Sequence, residues 1–254
     1  MKFRSDIAVR LVDELCCGWD QQIAHAAWVV PPPDPDAWNP EKDMMERHGK
    51  DDTEAGWRQV IRAMMKARHR SPFEKGCMEV YIEAPGVVWW QLTRYRFMSL
   101  ETDDLSPNIE SGRYRVLEGE FYVPPDDRPC REPEGFKPMR PELVADGDLA
   151  AELSRNIRNS AADAWLRYAG LIEQGVAREV ARLALPNWAL YCRGYVGARP
   201  LTWLHFFAQR KRGGDVPTFP QWEIEQLAEQ VEALFAQRWP ITHAAFVENG
   251  RVAP

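Results

Sequence analysis

The sequence predicts an α+β fold, a single domain over residues 1–254 with a small antiparallel sheet and a mostly helical C-terminal half. Three observations carry this. The stretch CMEVYIEAP (77–85) alternates apolar and polar residues with period two, as a strand with one buried face requires. From Leu153 onward, apolar residues recur at three- and four-residue spacing, the mark of helices with one apolar stripe. A chain of 254 residues with 45% hydrophobic content can also bury one sizeable core.

Taken in order, residues 6–30 mix apolar and small side chains and predict a helix over 20–27. PPPDPDAWNP (31–40) reads as a rigid surface loop, because proline removes donors and restrains the residue before it. In TEAGWRQVIRAMMKARHR, Trp57, Val60, Ile61, Met64 and Met65 share one helical face, with Thr53 placed as the cap. The strand 77–85 follows, with Met78, Val80, Ile82 and Ala84 on its buried side. Pro85 then opens a helix over 85–96, proline being tolerated in a first turn. GEFYVP (119–124) is a second short strand, and 124–140 a proline-rich connection. Leu153, Ile157, Ala161, Ala164, Tyr168 and Leu171 trace a long helix. Further helices are expected over 176–191, over LTWLHFFAQR (201–210), and through Ile224, Leu227, Val231 and Leu234.

Composition narrows the function. The formal net charge is −6, which argues against a nucleic-acid partner, since such proteins carry a basic field. Five cysteines at scattered positions form no CxxC pair and no zinc-finger spacing, so no metal is expected and reduced thiols in a cytoplasm are. No charged-then-apolar leader opens the chain, and no run approaches the ~18 apolar residues of a membrane helix, so no membrane partner is expected.

Against that acidic whole, arginine outnumbers lysine 25 to 7. The segment RYRFMSLETDDLSPNIESGRYR (94–115) holds Arg94, Arg96, Arg113 and Arg115. Its Ser111-Gly112 step suits a tight turn whose backbone N–H groups can receive an anion, beside the guanidinium of Arg113. Arg178 and Arg182 are four apart on one predicted helix, and QRKR (209–212) adds Arg210 and Arg212. Any one of these is an ordinary solvated arginine. Together they predict recognition of a small phosphorylated ligand, because guanidinium grips phosphate with two parallel hydrogen bonds.

The order of six blocks sharpens this. HRSPFEKG (69–76), WWQLTRYR (89–96), ESGRYR (110–115), EVARLALP (179–186), HFFAQR (205–210) and QWEIEQLAEQ (221–230) resemble the blocks of the flavin-dependent thymidylate synthases. The resemblance implies that Ser111, Gly112, Arg113 and Arg182 hold the 5′-phosphate of a deoxyuridylate-type nucleotide. Glu110 stands in the same step and Gln91 reaches the sugar. It makes Arg210, set against the pyrimidine, and Ser111 the catalytic residues. His69, Ser71, Glu74, Arg94, Tyr95, Arg96, Asn108, Arg199 and His205 become the flavin contacts. FAD is the implied cofactor, NADPH and methylenetetrahydrofolate the implied co-substrates, and a homotetramer with shared active sites the implied assembly.

Departures from the pattern fall around the flavin and pyrimidine contacts. Tyr95 stands where the family has histidine, and 98–107 is an acidic insertion. These motivate two alternatives, a hydroxymethylase of dUMP or dCMP and a non-catalytic flavin- or nucleotide-binding relative.

Overall fold

A computed structural model describes residues 1–12, 16, 18–28, 53–94, 108–109, 111–135, 137 and 142–254. Among the described residues, six strands fall into two sheets. Strands β1 (Lys2–Arg4) and β5 (Glu120–Tyr122) form a short parallel pair. The main sheet is antiparallel, in the order β2 (Ala8–Leu11), β3 (Met78–Pro85), β6 (Tyr191–Ala198), β4 (Asn108–Ile109).

The alternation expected of β3 is realised. Met78, Val80, Ile82 and Ala84 are fully buried, while Glu79, Tyr81 and Glu83 face outward, half-buried. The inner face shares one hydrophobic core with α1 (Asp20–Trp28), α2 (Glu54–Lys66), α3 (Gly86–Leu92), α6 (Pro200–Arg210), α7 (Trp222–Arg238) and α8 (Pro240–Glu248). Each fully buried Phe206, Phe207, Phe235 or Ile61 contributes about 1.5–3 kcal/mol relative to exposure. Thr53 caps α2 as expected, its side chain accepting from Gly56 N. A second, smaller core of Phe121, Ala161, Tyr168, Ala181, Leu185 and Leu190 sits beneath α4 (Gly147–Glu173), the long helix predicted from its stripe.

One prediction is overturned. Residues 176–191 are not a helix. Four residues, α5 (Arg178–Ala181), are helical, a 3₁₀ turn follows at Arg182–Ala184, and Tyr191 already begins β6. Pro186 disfavours helical backbone at its predecessor. Beyond it, Gly194, Val196 and Ala198 alternate inward opposite Ile82, Val80 and Met78, which a strand satisfies and a helix would not. Strands are therefore not confined to the first half. The helix expected over 85–96 is also shorter: Pro85 is the N-cap of α3, and Arg94 already lies in a turn.

The far side of the core is tied by a buried carboxylate. Glu232 of α7 is joined by Lys211 Nζ at 2.9 Å, Arg251 Nη2 at 2.7 Å and His243 Nε2 at 2.9 Å. Burial opposes its ionisation, but the hydrogen bonds of His243, Arg251 and Lys211 outweigh it and hold the carboxyl down at about 2. Among the described residues no helix is long and apolar enough to cross a membrane, and no group of three or more His, Cys, Asp or Glu side chains could hold a metal ion.

Replacing Glu232 by Gln strands two cations against one neutral amide, and should cost about 3 kcal/mol in urea unfolding. Because the folded carboxyl lies below its ordinary 4.5, its stabilisation is complete above that pH and drains as the pH falls toward 2. The Glu232→Gln protein should therefore lose less Tm than the parent between pH 6 and pH 3, values set by that window.

Candidate functional site

The first group of expected residues is assembled around the turn at 111–115. Arg113 N donates to Ser111 Oγ at 3.3 Å, and Tyr114 N to Ser111 O at 3.3 Å. Gly112 is buried against Leu117, whose own N–H donates to Tyr168 Oη at 3.1 Å, anchoring the turn to α4. Leu117 packs on the second core together with Ala181 and Leu185, which flank Arg182. Two polar contacts complete the junction: Arg113 Nε to Glu179 Oε2 at 3.0 Å, and Arg178 Nη1 to the Tyr114 carbonyl at 2.6 Å. Ser111, Gly112 and Arg113 thus meet the segment carrying Arg182. The Arg113–Glu179 pair is more than half exposed on both sides, so it is worth at most about 1 kcal/mol and a phosphate can displace it. Arg178, expected to share a helix face with Arg182, instead braces the turn.

The second group centres on Gln91. Helix α3 is docked by its backbone: Gly86 N donates to Leu190 O at 2.9 Å and Val87 N to Trp188 O at 3.1 Å. Trp89 is buried and donates to Cys192 O at 3.1 Å, whereas Trp90 is exposed and meets the equally exposed Trp188 edge-on at 5.6 Å. Gln91 Nε2 then donates to Gln221 Oε1 at 2.7 Å, at the N-cap of α7. One turn further, Glu225 accepts from the Arg212 backbone N–H at 3.0 Å and from its guanidinium. Gln91 and the chain just past Arg210 therefore both abut the first turn of α7.

The third group holds the expected flavin contacts. The 3₁₀ turn Ser71–Glu74 packs on α6, and Glu74 Oε2 lies 4.0 Å from Arg199 Nη1 at the helix N-cap. His69, Ser71 and Glu74 are exposed. His205, half-buried on α6, keeps Nε2 buried without a hydrogen-bond partner. Burial first, then the charge of Arg70, push its pKa below the ordinary value, against a hydrogen bond with the Pro254 backbone. An unused imidazole nitrogen near the charge of Arg70, on the helix that Arg199 caps, fits a polar, anionic flavin nucleotide: it offers a hydrogen bond that costs about 1–3 kcal/mol to leave unmade. Arg199 and Arg210 sit at opposite ends of α6, roughly 16 Å apart along its axis, so one copy of the helix does not bring them together. Arg94 is exposed in the turn after α3, its backbone N–H donating to the Gln91 carbonyl at 3.3 Å. Asn108 is backbone-paired with Tyr195, and Glu110, Tyr95 and Arg96 lie outside the described residues, as does the insertion.

Sequence reasoning missed the polar network behind Gln91. Glu223, almost fully buried, accepts from Tyr122 Oη at 2.9 Å and from Arg128 at 2.6 and 3.1 Å. Its one signal was a glutamine and a glutamate flanking Trp222 at a helix start. A cavity of about 330 Å³ opens beside it, lined by Asp6, Tyr122, Asp127, Trp222 and Gln226 among others, and containing none of the residues expected to bind ligand.

The fold thus gathers the motif residues into three groups: a turn braced on the Arg182 segment, a helical end shared by Gln91 and the chain past Arg210, and a 3₁₀ turn beside Arg199. Residues 10–241 match the model of the family described as thymidylate synthase complementing protein. The chain is 36% identical over 255 residues to the flavin-dependent thymidylate synthase of Streptomyces avermitilis, covering 99% of this chain and 95% of that one. The Streptomyces coelicolor enzyme of the same description is 35% identical over 257 residues, covering 100% and 96%. Among solved structures, the UMP/dUMP methylase PolB from Streptomyces cacaoi, bound with 5-Br dUMP, superposes with a TM-score of 0.82 at 32% identity over 100% of both chains. The protein belongs to the flavin-dependent thymidylate synthase family.

A methyl group at Gly86 would lie well inside contact distance of the Asn187 carbonyl, a backbone atom that cannot step aside. Gly86→Ala should therefore lift α3 off the 186–190 segment, lowering stability by about 2–3 kcal/mol in urea unfolding and weakening nucleotide binding with it.

Proposed function

We propose that this protein converts dUMP to dTMP, taking the methylene of methylenetetrahydrofolate onto carbon 5 of the pyrimidine. Reduced FAD supplies the hydride when bound, with NADPH as the reductant that renews it. The observation that carries the reading is the junction of the Ser111–Arg113 turn with the Arg182 segment, in a chain that aligns end to end with a nucleotide methylase. Ser111, the Gly112 backbone, Arg113 and Arg182 receive the 5′-phosphate, with Glu110 beside them. Gln91 takes the sugar. Arg210 lies against the base and draws electron density toward its carbonyl oxygens. The residues after it are fixed by Glu232 on Lys211 and Glu225 on Arg212, so its backbone does not wander. His69, Ser71, Glu74, Arg199 and His205 cradle the flavin from one side, and Arg94, Tyr95, Arg96 and Asn108 from another.

The β3–β6 ladder supports a site shared between copies. It runs eight residues, roughly 24 Å, with α3 and the 186–190 segment at one end and the Ser71–Glu74 turn and Arg199 at the other. Nucleotide and flavin must lie face to face, so the nucleotide end of one copy meets the flavin end of the next. Exposed Tyr114 in the phosphate turn, Leu183 next to Arg182, and the Trp90–Trp188 pair where α3 docks are apolar surface that such a neighbour would cover. A homotetramer in the cytoplasm, with nucleotide and folate as its only other partners, fits this arrangement.

The UMP/dUMP activity named for PolB favours UMP as the second substrate to try. Incubation with methylenetetrahydrofolate, FAD, NADPH and either dUMP or UMP, read by mass spectrometry, should give dTMP faster than the ribonucleotide product. A hydroxymethylated product, or turnover of dCMP alone, would reject the proposal. Arg182→Ala should weaken dUMP binding by ~1.5–3 kcal/mol, the worth of a hydrogen bond to a charged group, and unchanged calorimetric affinity would remove the phosphate assignment.

A further inference from the structure

The polar chain behind Gln91 has a fixed direction, and that direction reaches the ligand. Glu223 is nearly buried, and all of its in-plane acceptor positions are used. Oε1 accepts from Tyr122 Oη at 2.9 Å and from Arg128 Nε at 2.6 Å, and Oε2 from Arg128 Nη2 at 3.1 Å and Gln221 Nε2 at 2.8 Å. Burial opposes ionisation of Glu223, but Arg128 outweighs it and keeps the carboxyl below its ordinary range. Burial, then the nearby Glu223 charge, push the Tyr122 phenol up, so it remains a donor. An ionised carboxylate only accepts. Gln221 must therefore turn its NH₂ toward Glu223, which leaves its carbonyl oxygen for Gln91. Gln91 in turn must give its NH₂ to Gln221, at 2.7 Å. Gln91 keeps one further N–H and, at the end of the amide turned away from Gln221, its carbonyl oxygen, an acceptor.

Resting on the assignment of Gln91 to the nucleotide sugar, we propose that Gln221 is a positioning residue that fixes the polarity of this subsite. Through the Glu223–Gln221–Gln91 chain the site presents an acceptor and so selects a ligand hydroxyl that donates. A free glutamine amide flips between two orientations and serves donor and acceptor alike, whereas this one is held in one of them. Gln221 achieves this from an exposed position because it is the N-cap of α7, whose backbone is set by the core behind it. Its test separates polarity from mere packing.

Calorimetric binding of dUMP and of 2′,3′-dideoxyuridine 5′-monophosphate, which lacks the sugar hydroxyl, is compared in the FAD-loaded parent and in Gln221→Leu, a change of similar size that removes the acceptor holding the Gln91 NH₂. The variant should bind dUMP about 3- to 10-fold more weakly than the parent, the worth of one neutral hydrogen bond, yet bind the dideoxy nucleotide equally well. Gln221→Ala should behave in the same way, with an unchanged Tm. Equal weakening toward both nucleotides, or parent-like dUMP binding by Gln221→Leu, would overturn the relay while leaving the site in place. If Gln91→Ala binds dUMP as the parent does, the sugar assignment itself falls, and the relay with it.

Discussion

The antiparallel pairing of β3 with β6 is the constraint on which everything else depends. Eight residue pairs, from Met78 opposite Ala198 to Pro85 opposite Tyr191, hold two segments separated by more than a hundred residues in one register. A slip of one position would turn Val80, Ile82 and Val196 out of the core and expose the whole apolar face. The same register also places the functional segments, because each end of the ladder delivers two of them. At one end β3 runs into α3 with Gln91 and Arg94, while the residues after Arg182 run into β6. At the other, the Ser71–Glu74 turn leads into β3 as β6 leads out to Arg199 and α6.

Arginine does two different jobs here, and burial separates them. Arg4 bonds Glu83 at 2.8 Å and Glu120 at 3.3 Å, Arg193 bonds Glu120 at 2.6 Å, and Arg128 clamps Glu223. These guanidinium groups hold the sheets and the start of α7 together, because a fork with several fixed donors satisfies a desolvated carboxylate more completely than an ammonium does. Arg94 and Arg113 stand exposed, where their charge is cheap to keep and open to an anion. Part of the abundance of arginine in an acidic chain thus reflects internal cross-links, and neither count nor spacing distinguishes these from the exposed arginines.

Long periodic segments were legible: the period-two pattern of β3, the stripe of α4, the Thr53 cap and the apolar face of α7 are local properties that tertiary contacts only reinforced. The stretch 176–191 was not. Its apolar residues fit a helix on paper, but Pro186 and the small residues beyond it fit a strand once β3 offers a partner, and that partner lies far off in sequence. The site shows the same division. The turn at Ser111–Arg113 and the arginine after EVA were visible as motifs, whereas Gln221 became meaningful only when the fold set it between Gln91 and Glu223.

By itself, then, the sequence determined the chemical inventory and the family, because ordered motifs and residue types survive without coordinates. Only the tertiary structure decided which cations are spent on carboxylates, which stand exposed, and which way a glutamine amide points. Those outcomes depend on distances between segments remote in the chain, and a linear pattern carries no such distances.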